Sequence, residues 1–245
     1  MTTEPLFRDD ATLRACEATV LSAGPEGVVL DRTVFYAQSG GQPGDTGRLV
    51  LPDGSTIAVT DTVKGDAVTG QPGTILHRVA ADSPLPAPGA RVTAALDWDR
   101  RFRLMRMHTA MHLLCSLIPG AAVTGGSIGD GKGRLDFDLP EAPDKERLNQ
   151  ALAALVAEDH PISTLWITEE ELDANPGLVR TLSVKPPRGA GRVRLVRIGP
   201  EEAPIDLQPC GGTHVGSTRE VGRVTVAKVE NKGRQNRRIA LVLEG

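Results

Sequence analysis

From Ala18 to Leu96 the apolar positions fall in short β-prone runs cut by turn-forming clusters: A-G-P-E-G, S-G-G-Q-P-G-D-T-G, P-D-G-S, V-K-G-D, G-Q-P-G-T and P-A-P-G. Between these clusters no ten-residue stretch holds a helical period, so the spacing predicts a small antiparallel barrel or sandwich. The texture changes near Asp97. The stretch W-D-R-R-F-R-L-M-R-M carries Arg100, Arg101, Arg103 and Arg106 into a helix that ends by Ile118-Pro119-Gly120, which puts a domain boundary between residues 97 and 98.

The second region mixes both periods. Val123 to Leu139 reads as a glycine-rich loop followed by an alternating strand. Leu148, Ala151, Leu152, Leu155 and Val156 then give the stripe of an amphipathic helix over about Pro143 to Asp159, stopped by Pro161. A strand through Ile162 to Ile167 leads to a short helix, opened by Thr168 and Glu171 at capping-box spacing and closed by Asn175-Pro176. Helices packed on one face of an antiparallel sheet, an α+β layer, account most simply for this order.

Within the first region Phe35 to Gly47 is unusual, because glycines 40, 41, 44 and 47 surround Gln38, Ser39, Gln42 and Asp45 in a loop longer than a hairpin needs. It reads either as consecutive turns using positive φ at glycine or as a loop whose backbone N–H groups approach a polar ligand.

Composition narrows the function classes. Aromatic residues make up only 3% of the chain, so Leu, Val, Ile and Ala must fill the core and aromatic platforms for nucleic-acid bases are not expected. A net charge of −3 gives no global sign of nucleic-acid binding. Locally the balance reverses: Lys185 to Arg197 holds five basic residues and no acidic one, and Lys228, Lys232, Arg234, Arg237 and Arg238 follow near the end. Such segments are either arginines on the solvent face of a strand or the footprint of a phosphate-bearing partner. Three widely spaced cysteines form no disulfide framework, the first residues do not form a signal peptide, and no stretch reaches membrane-spanning length. A cytoplasmic protein with no membrane partner, monomeric by preference, is expected.

The candidate chemistry lies in two pairs. Four of the eight histidines and cysteines fall in H-T-A-M-H, with His108 and His112, and in C-G-G-T-H, with Cys210 and His214. On a helix, residues four apart leave the same face one turn apart, so both imidazoles can reach one ion, and the second pair supplies a loop knuckle. Three imidazoles and one thiolate suit one zinc ion per chain. Four protein ligands close a tetrahedral site, as structural sites do, whereas a histidine-rich set can also open a position for water or substrate. A zinc-protease motif would need glutamate after the first histidine, and Thr109 stands there. Cys115 and His160 read as a core thiol and a helix-end or surface imidazole rather than as ligands.

Together, H-T-A-M-H-L-L, C-G-G-T-H-V, F-Y-A-Q-S-G-G-Q-P-G-D-T-G and G-S-I…G-R-L-D-F-D resemble the editing domain of alanyl-tRNA synthetase and its free-standing AlaX relatives, over nearly the whole chain and in order. A chain that starts at methionine and holds no aminoacylation domain resembles the free-standing form. The resemblance implies a β-barrel over residues 1–97 carrying the glycine-rich loop, and a two-layer zinc-containing editing domain over 98–245. It implies hydrolysis of serine, and by extension glycine, from mischarged alanine tRNA, an error that a pocket shaped for a methyl group cannot strongly reject.

By the same resemblance, zinc held by His108, His112, Cys210 and His214 anchors the aminoacyl end and orients or polarises the attacking water, while the Thr109 hydroxyl meets that of serine. Gln42, Asp45, Gly40 and Gly41 shape the pocket or meet the terminal ribose, Ser127 belongs to the substrate-binding set, and Arg192 and Arg237 track phosphates. The family commonly has threonine where Met111 stands and glutamine where Gly125 falls, so Met111 bears on discrimination. The competing classes are an RNA-binding protein with a structural zinc and a zinc esterase for small molecules.

Overall fold

The computed structural model describes residues 2–182, 189 and 191–245. The chain divides into two compact units, Met1–Phe102 and Arg103–Gly245, so the division falls inside a helix rather than at its start.

In the first unit six strands form a closed antiparallel barrel: β1 (Ala15–Gly24), β2 (Gly27–Leu30), β3 (Gly47–Val50), β4 (Thr56–Lys64), β5 (Ile75–Val79) and β6 (Arg91–Leu96). Their order is β1-β2-β5-β4-β3-β6, with β6 pairing back to β1. Closure leaves no strand edge with unpaired backbone groups. Alternation along β6 turns Val92, Ala94 and Leu96 inward, where Leu30, Phe35, Leu49, Ile57 and Val59 complete the core.

The glycine-rich segment folds as a tight turn. Ser39 and Gln42 exchange two backbone hydrogen bonds, of 3.1 and 2.9 Å, around Gly40 and Gly41 at φ of 57° and 84°. Positive φ at both central residues is the type I′ geometry, which explains the glycine pair. Below the turn Asp45 is almost fully buried and accepts from the Tyr36 N–H at 2.6 Å and from the guanidinium of Arg101, itself wholly buried. Arg101 also donates to the carbonyls of Val34 and Ala11, and Arg100 donates to that of Gly44.

Helix α1 (Trp98–Ser116) runs through the division into the second unit. There follow β7 (Val123–Gly129), β8 (Lys132–Asp138), α2 (Lys145–Ala157), β9 (Ile162–Thr168), α3 (Glu169–Ala174), β10 (Arg192–Ile198), β11 (Asp206–Pro209), β12 (Val224–Asn231) and β13 (Asn236–Leu243). Two antiparallel sheets result, in the orders β12-β13-β8-β7 and β9-β10-β11. The fold is α+β, an antiparallel barrel followed by a mixed helix-and-sheet unit. Asp144 caps α2, which buries Leu148 and Leu152, and the Thr168–Glu171 capping box opens α3 as the sequence predicts.

One prediction is corrected. The glycines expected in a loop after Val123 lie in strand β7, and Asp130-Gly131 makes the turn of a β7–β8 hairpin. Strand glycines here serve packing: a Cβ on Gly133 of β8 would come 2.7 Å from the Met107 sulfur and 3.0 Å from that of Met111, so its absence lets α1 approach the sheet.

Candidate metal centre

His108 and His112 stand one turn apart on α1, and Cys210 and His214 follow the end of β11. One ligand atom from each of the four lies within 4.8 Å of every other, and His108, His112 and His214 are buried. The Cys210 sulfur is 3.5 Å from His108 Nε2 and 3.3 Å from His214 Nε2. A tetrahedral zinc with bonds of about 2.0 Å to nitrogen and about 2.3 Å to sulfur would hold such atoms about 3.5 Å apart, so the donors fit that ion in kind and the two Cys210 distances match its spacing. In the knuckle neither Gly211 nor Gly212 has a positive φ, and the Gly212 N–H approaches the Cys210 sulfur at 3.4 Å. A Cβ on Gly211 would meet open space, so neither a left-handed conformation nor crowding requires glycine there.

Each imidazole on the inner side of the site has a partner for its other nitrogen. His112 Nδ1 lies 2.7 Å from Asp206 Oδ2, and the Gln208 amide donates to that oxygen at 2.8 Å. His214 Nδ1 lies 3.2 Å from the hydroxyl of Thr109, which also accepts from the Val215 N–H at 3.4 Å. The Asp206 carboxylate puts the His112 ring proton on Nδ1, and the same tautomer of His214 would donate to Thr109, leaving each Nε2 for an ion, the usual outer support of a metal-bound histidine. Arg194, buried beside them, donates to the carbonyls of Cys210 and Gly212 and fixes the knuckle to β10.

The electrostatics of Cys210 and His214 suit ligand roles, whereas His112 without an ion holds its proton. Burial opposes ionisation of Cys210, but His108 and His214 outweigh it and hold the thiol well below its ordinary range. Burial, followed by the charge of His108, lowers His214 to about 3. Burial would also lower His112, yet its hydrogen bonds to Asp206 and Cys210 raise it to about 10. Cys115 is different: burial and then the Asp206 charge push its thiol up to about 12, so it stays a protonated core residue.

The other predicted site residues are dispersed. Thr109 joins the quartet. Met111 turns toward Gly126 and Gly133 of the β7–β8 hairpin, and Ser127 is exposed opposite Arg134. Gly40 and Gly41 form the exposed turn tip of the first unit, with Gln42 and Asp45 buried beneath it. Arg192 is exposed on β10, while Lys185 and Arg188 of the same basic run lie outside the described residues.

Arg237 corrects an expectation. It is buried and donates to the carbonyls of Gly233, Asn236, Arg234 and Pro140, because strand alternation puts it on the side of Ile239 and Leu241. Lys228, Lys232 and Arg234 are the exposed cations of that hairpin. Sequence reasoning missed Asp206, Gln208 and Arg194. The first two had a signal, since D-L-Q-P-C puts residues 206, 208 and 210 at a strand's period of two.

Two family models match the chain: threonyl and alanyl tRNA synthetase second additional domain over residues 193–240, and tRNA synthetases class II (A) over residues 10–100. An alanyl-tRNA editing protein AlaX-M of Methanosarcina acetivorans is 36% identical, the match covering 98% of this chain and 99% of that protein. The chain belongs to the AlaX-M family of alanyl-tRNA editing proteins. AlaX-M of Saccharolobus solfataricus is 33% identical, with 97% of each chain covered. An alanine–tRNA ligase of Pyrobaculum aerophilum is 34% identical over 93% of this chain but only 25% of its own length, so the AlaX-M match is the one that spans both partners. In this family member no helix among the described residues is long and apolar enough to cross a membrane.

Proposed function

We propose that this protein is a trans-acting aminoacyl-tRNA deacylase that removes serine, and secondarily glycine, from mischarged alanine tRNA. The observation that carries the reading is a His108–His112–Cys210–His214 quartet with its outer supports in a chain similar to AlaX-M proteins from end to end. Bound in the quartet, zinc would supply Lewis-acid chemistry toward the ester carbonyl or the attacking water. Asp206 and Thr109 hold the two imidazoles to which they bond in one tautomer and orientation, so the site is organised before substrate arrives.

Thr109 serves discrimination as well. With its two lone pairs facing His214 and Val215, its hydroxyl keeps one O–H to donate, and a seryl hydroxyl accepts where an alanyl methyl cannot. Asp45 and Gln42 act at one remove. They hold the turn at Gly40 and Gly41, whose exposed backbone is the part of that loop open to a ribose. Arg192 meets phosphate.

The test is release of serine from seryl-tRNA for alanine, run beside alanyl-tRNA and a free seryl ester. Rapid release from seryl-tRNA with alanyl-tRNA spared is expected, and Cys210→Ala should lose both zinc and turnover. Binding of tRNA without turnover would make this an RNA-binding protein with a structural metal, and turnover of the free ester alone would make it a small-molecule esterase. Full activity in a metal-free variant would remove the metal from the chemistry.

A further inference from the structure

Trp166 is the only aromatic residue among the exposed large hydrophobics of the described chain, at 38% exposure. The core does not explain it. Along β9 the alternate residues Leu165 and Ile167 pack with Leu172, Val193 and Leu195, so the opposite face of the sheet carries Trp166. That is also the face of the metal site. In the β9–β10 register Trp166 stands opposite Arg194, and beyond Arg194 the next register position holds Cys210, whose N–H donates to the Arg194 carbonyl at 3.1 Å. Trp166, Arg194 and Cys210 therefore form one row across the sheet, and two strand spacings put the Trp166 backbone about 10 Å from that of Cys210. One nucleoside spans about that gap.

Charge complements the ring. The exposed Arg192 guanidinium lies over the indole, 5.8 Å from its centroid, where an incoming base would displace it toward the adjoining phosphate, and Arg194 lies between the ring and the knuckle. A flat apolar surface flanked by a cation suits a base and its phosphate, since every base offers a π-face and stacking tolerates any sequence.

We propose that Trp166 and Arg192 form the subsite for the terminal nucleoside of the RNA substrate. The adenine stacks on the indole, Arg192 takes the adjoining phosphate, and the row to Cys210 sets the distance from base to ester. The proposal rests on the reading of the protein as an aminoacyl-tRNA deacylase. Scarce aromatics argue against an extended stacking platform, but a single exposed indole suffices when only one base has to be held.

The chain has two tryptophans, so Trp98→Phe leaves Trp166 as the sole indole reporter. Its emission should be quenched by an uncharged acceptor-stem minihelix ending in adenosine and not by the same minihelix lacking that nucleotide. Trp166→Ala should raise KM for seryl-tRNA about tenfold, and Trp166→Phe should return it to within about threefold of wild type. Zinc content per chain shows whether each variant has folded. Identical quenching by the two minihelices, or a Trp166→Ala KM equal to that of wild type, overturns the subsite. Failure of the wild-type protein to release serine overturns the functional reading instead, and the quenching experiment is independent of that result.

Discussion

Asp206 Oδ2 and His112 Nδ1 are 2.7 Å apart, although 94 residues separate them in sequence, and both are buried. The carboxylate keeps the ring proton on Nδ1 and leaves Nε2 to the candidate metal quartet, so Asp206 orients one of its four members. Gln208 holds the same oxygen at 2.8 Å and fixes the carboxylate in turn.

Replacing Asp206 with alanine should therefore weaken zinc binding 10- to 100-fold, the range seen for the outer partners of metal-bound histidines. Competition with a chromophoric chelator measures this directly. Affinity unchanged in Asp206→Ala would mean that His112 is oriented by packing alone.

Thr109→Val keeps the shape of the side chain and removes its hydroxyl. His214 then loses its Nδ1 partner and the Val215 N–H loses an acceptor, so zinc affinity should fall about tenfold and the preference for seryl- over alanyl-tRNA should fall with it. Thr109→Ser should restore both. Parallel deacylation assays on the two charged tRNAs, with metal content determined for each variant, separate positioning from recognition: recognition is refuted if Thr109→Val discriminates as well as wild type once it is saturated with zinc.

The buried pair of Arg101 and Asp45 anchors the glycine-rich turn, with the guanidinium also bound to two carbonyls. Removing one partner leaves the other charged and buried, which costs about 3–5 kcal/mol. Asp45→Asn should accordingly lower the urea midpoint of the full chain clearly, whereas Arg32→Gln, which breaks an exposed pair with Glu4, should shift it little. Equal midpoints for the two variants would show that Asp45 is not a structural anchor.

His77, wholly buried in the barrel, links stability to pH. Its Nδ1–H donates to the Val28 carbonyl at 3.0 Å, and its Nε2 lies 2.8 Å from the Thr33 hydroxyl, which donates to it when the ring is neutral. Burial lowers its pKa from 6.5 to about 4. Because the unfolded chain takes up the proton first, this contribution is complete above pH 6.5 and is lost as the pH falls toward 4. It amounts to about 3 kcal/mol. Denaturant titrations at pH 7, 5.5 and 4 should show that decline, and His77→Gln should flatten it; a variant with the wild-type slope would place the pH dependence elsewhere.

The features read correctly from sequence are those set by local geometry. The i, i+4 spacing of His108 and His112 follows from the pitch of one helix, the capping box of Thr168 and Glu171 from one helical turn, and the barrel class from turn clusters that recur too often for helices to form. Each depends on residues within a few positions of one another. In the Val123–Leu139 segment the second strand is found as expected, but the glycines before it read as a loop because glycine lowers strand propensity, whereas strand glycines here admit Met107 and Met111 against the sheet, and only packing reveals that.

Tertiary structure alone decided which polar groups meet. Asp206 on His112, Thr109 on His214, Asp45 on Arg101 and Arg237 on the Pro140 carbonyl are all contacts between segments whose approach no local period encodes. The same holds for Trp166. Its sequence neighbours make it a strand residue, but its place in one row with Cys210 exists only because β9, β10 and the knuckle are laid side by side. Local geometry paired the candidate metal ligands within each motif, and long-range pairing decided what orients them and what the quartet can face.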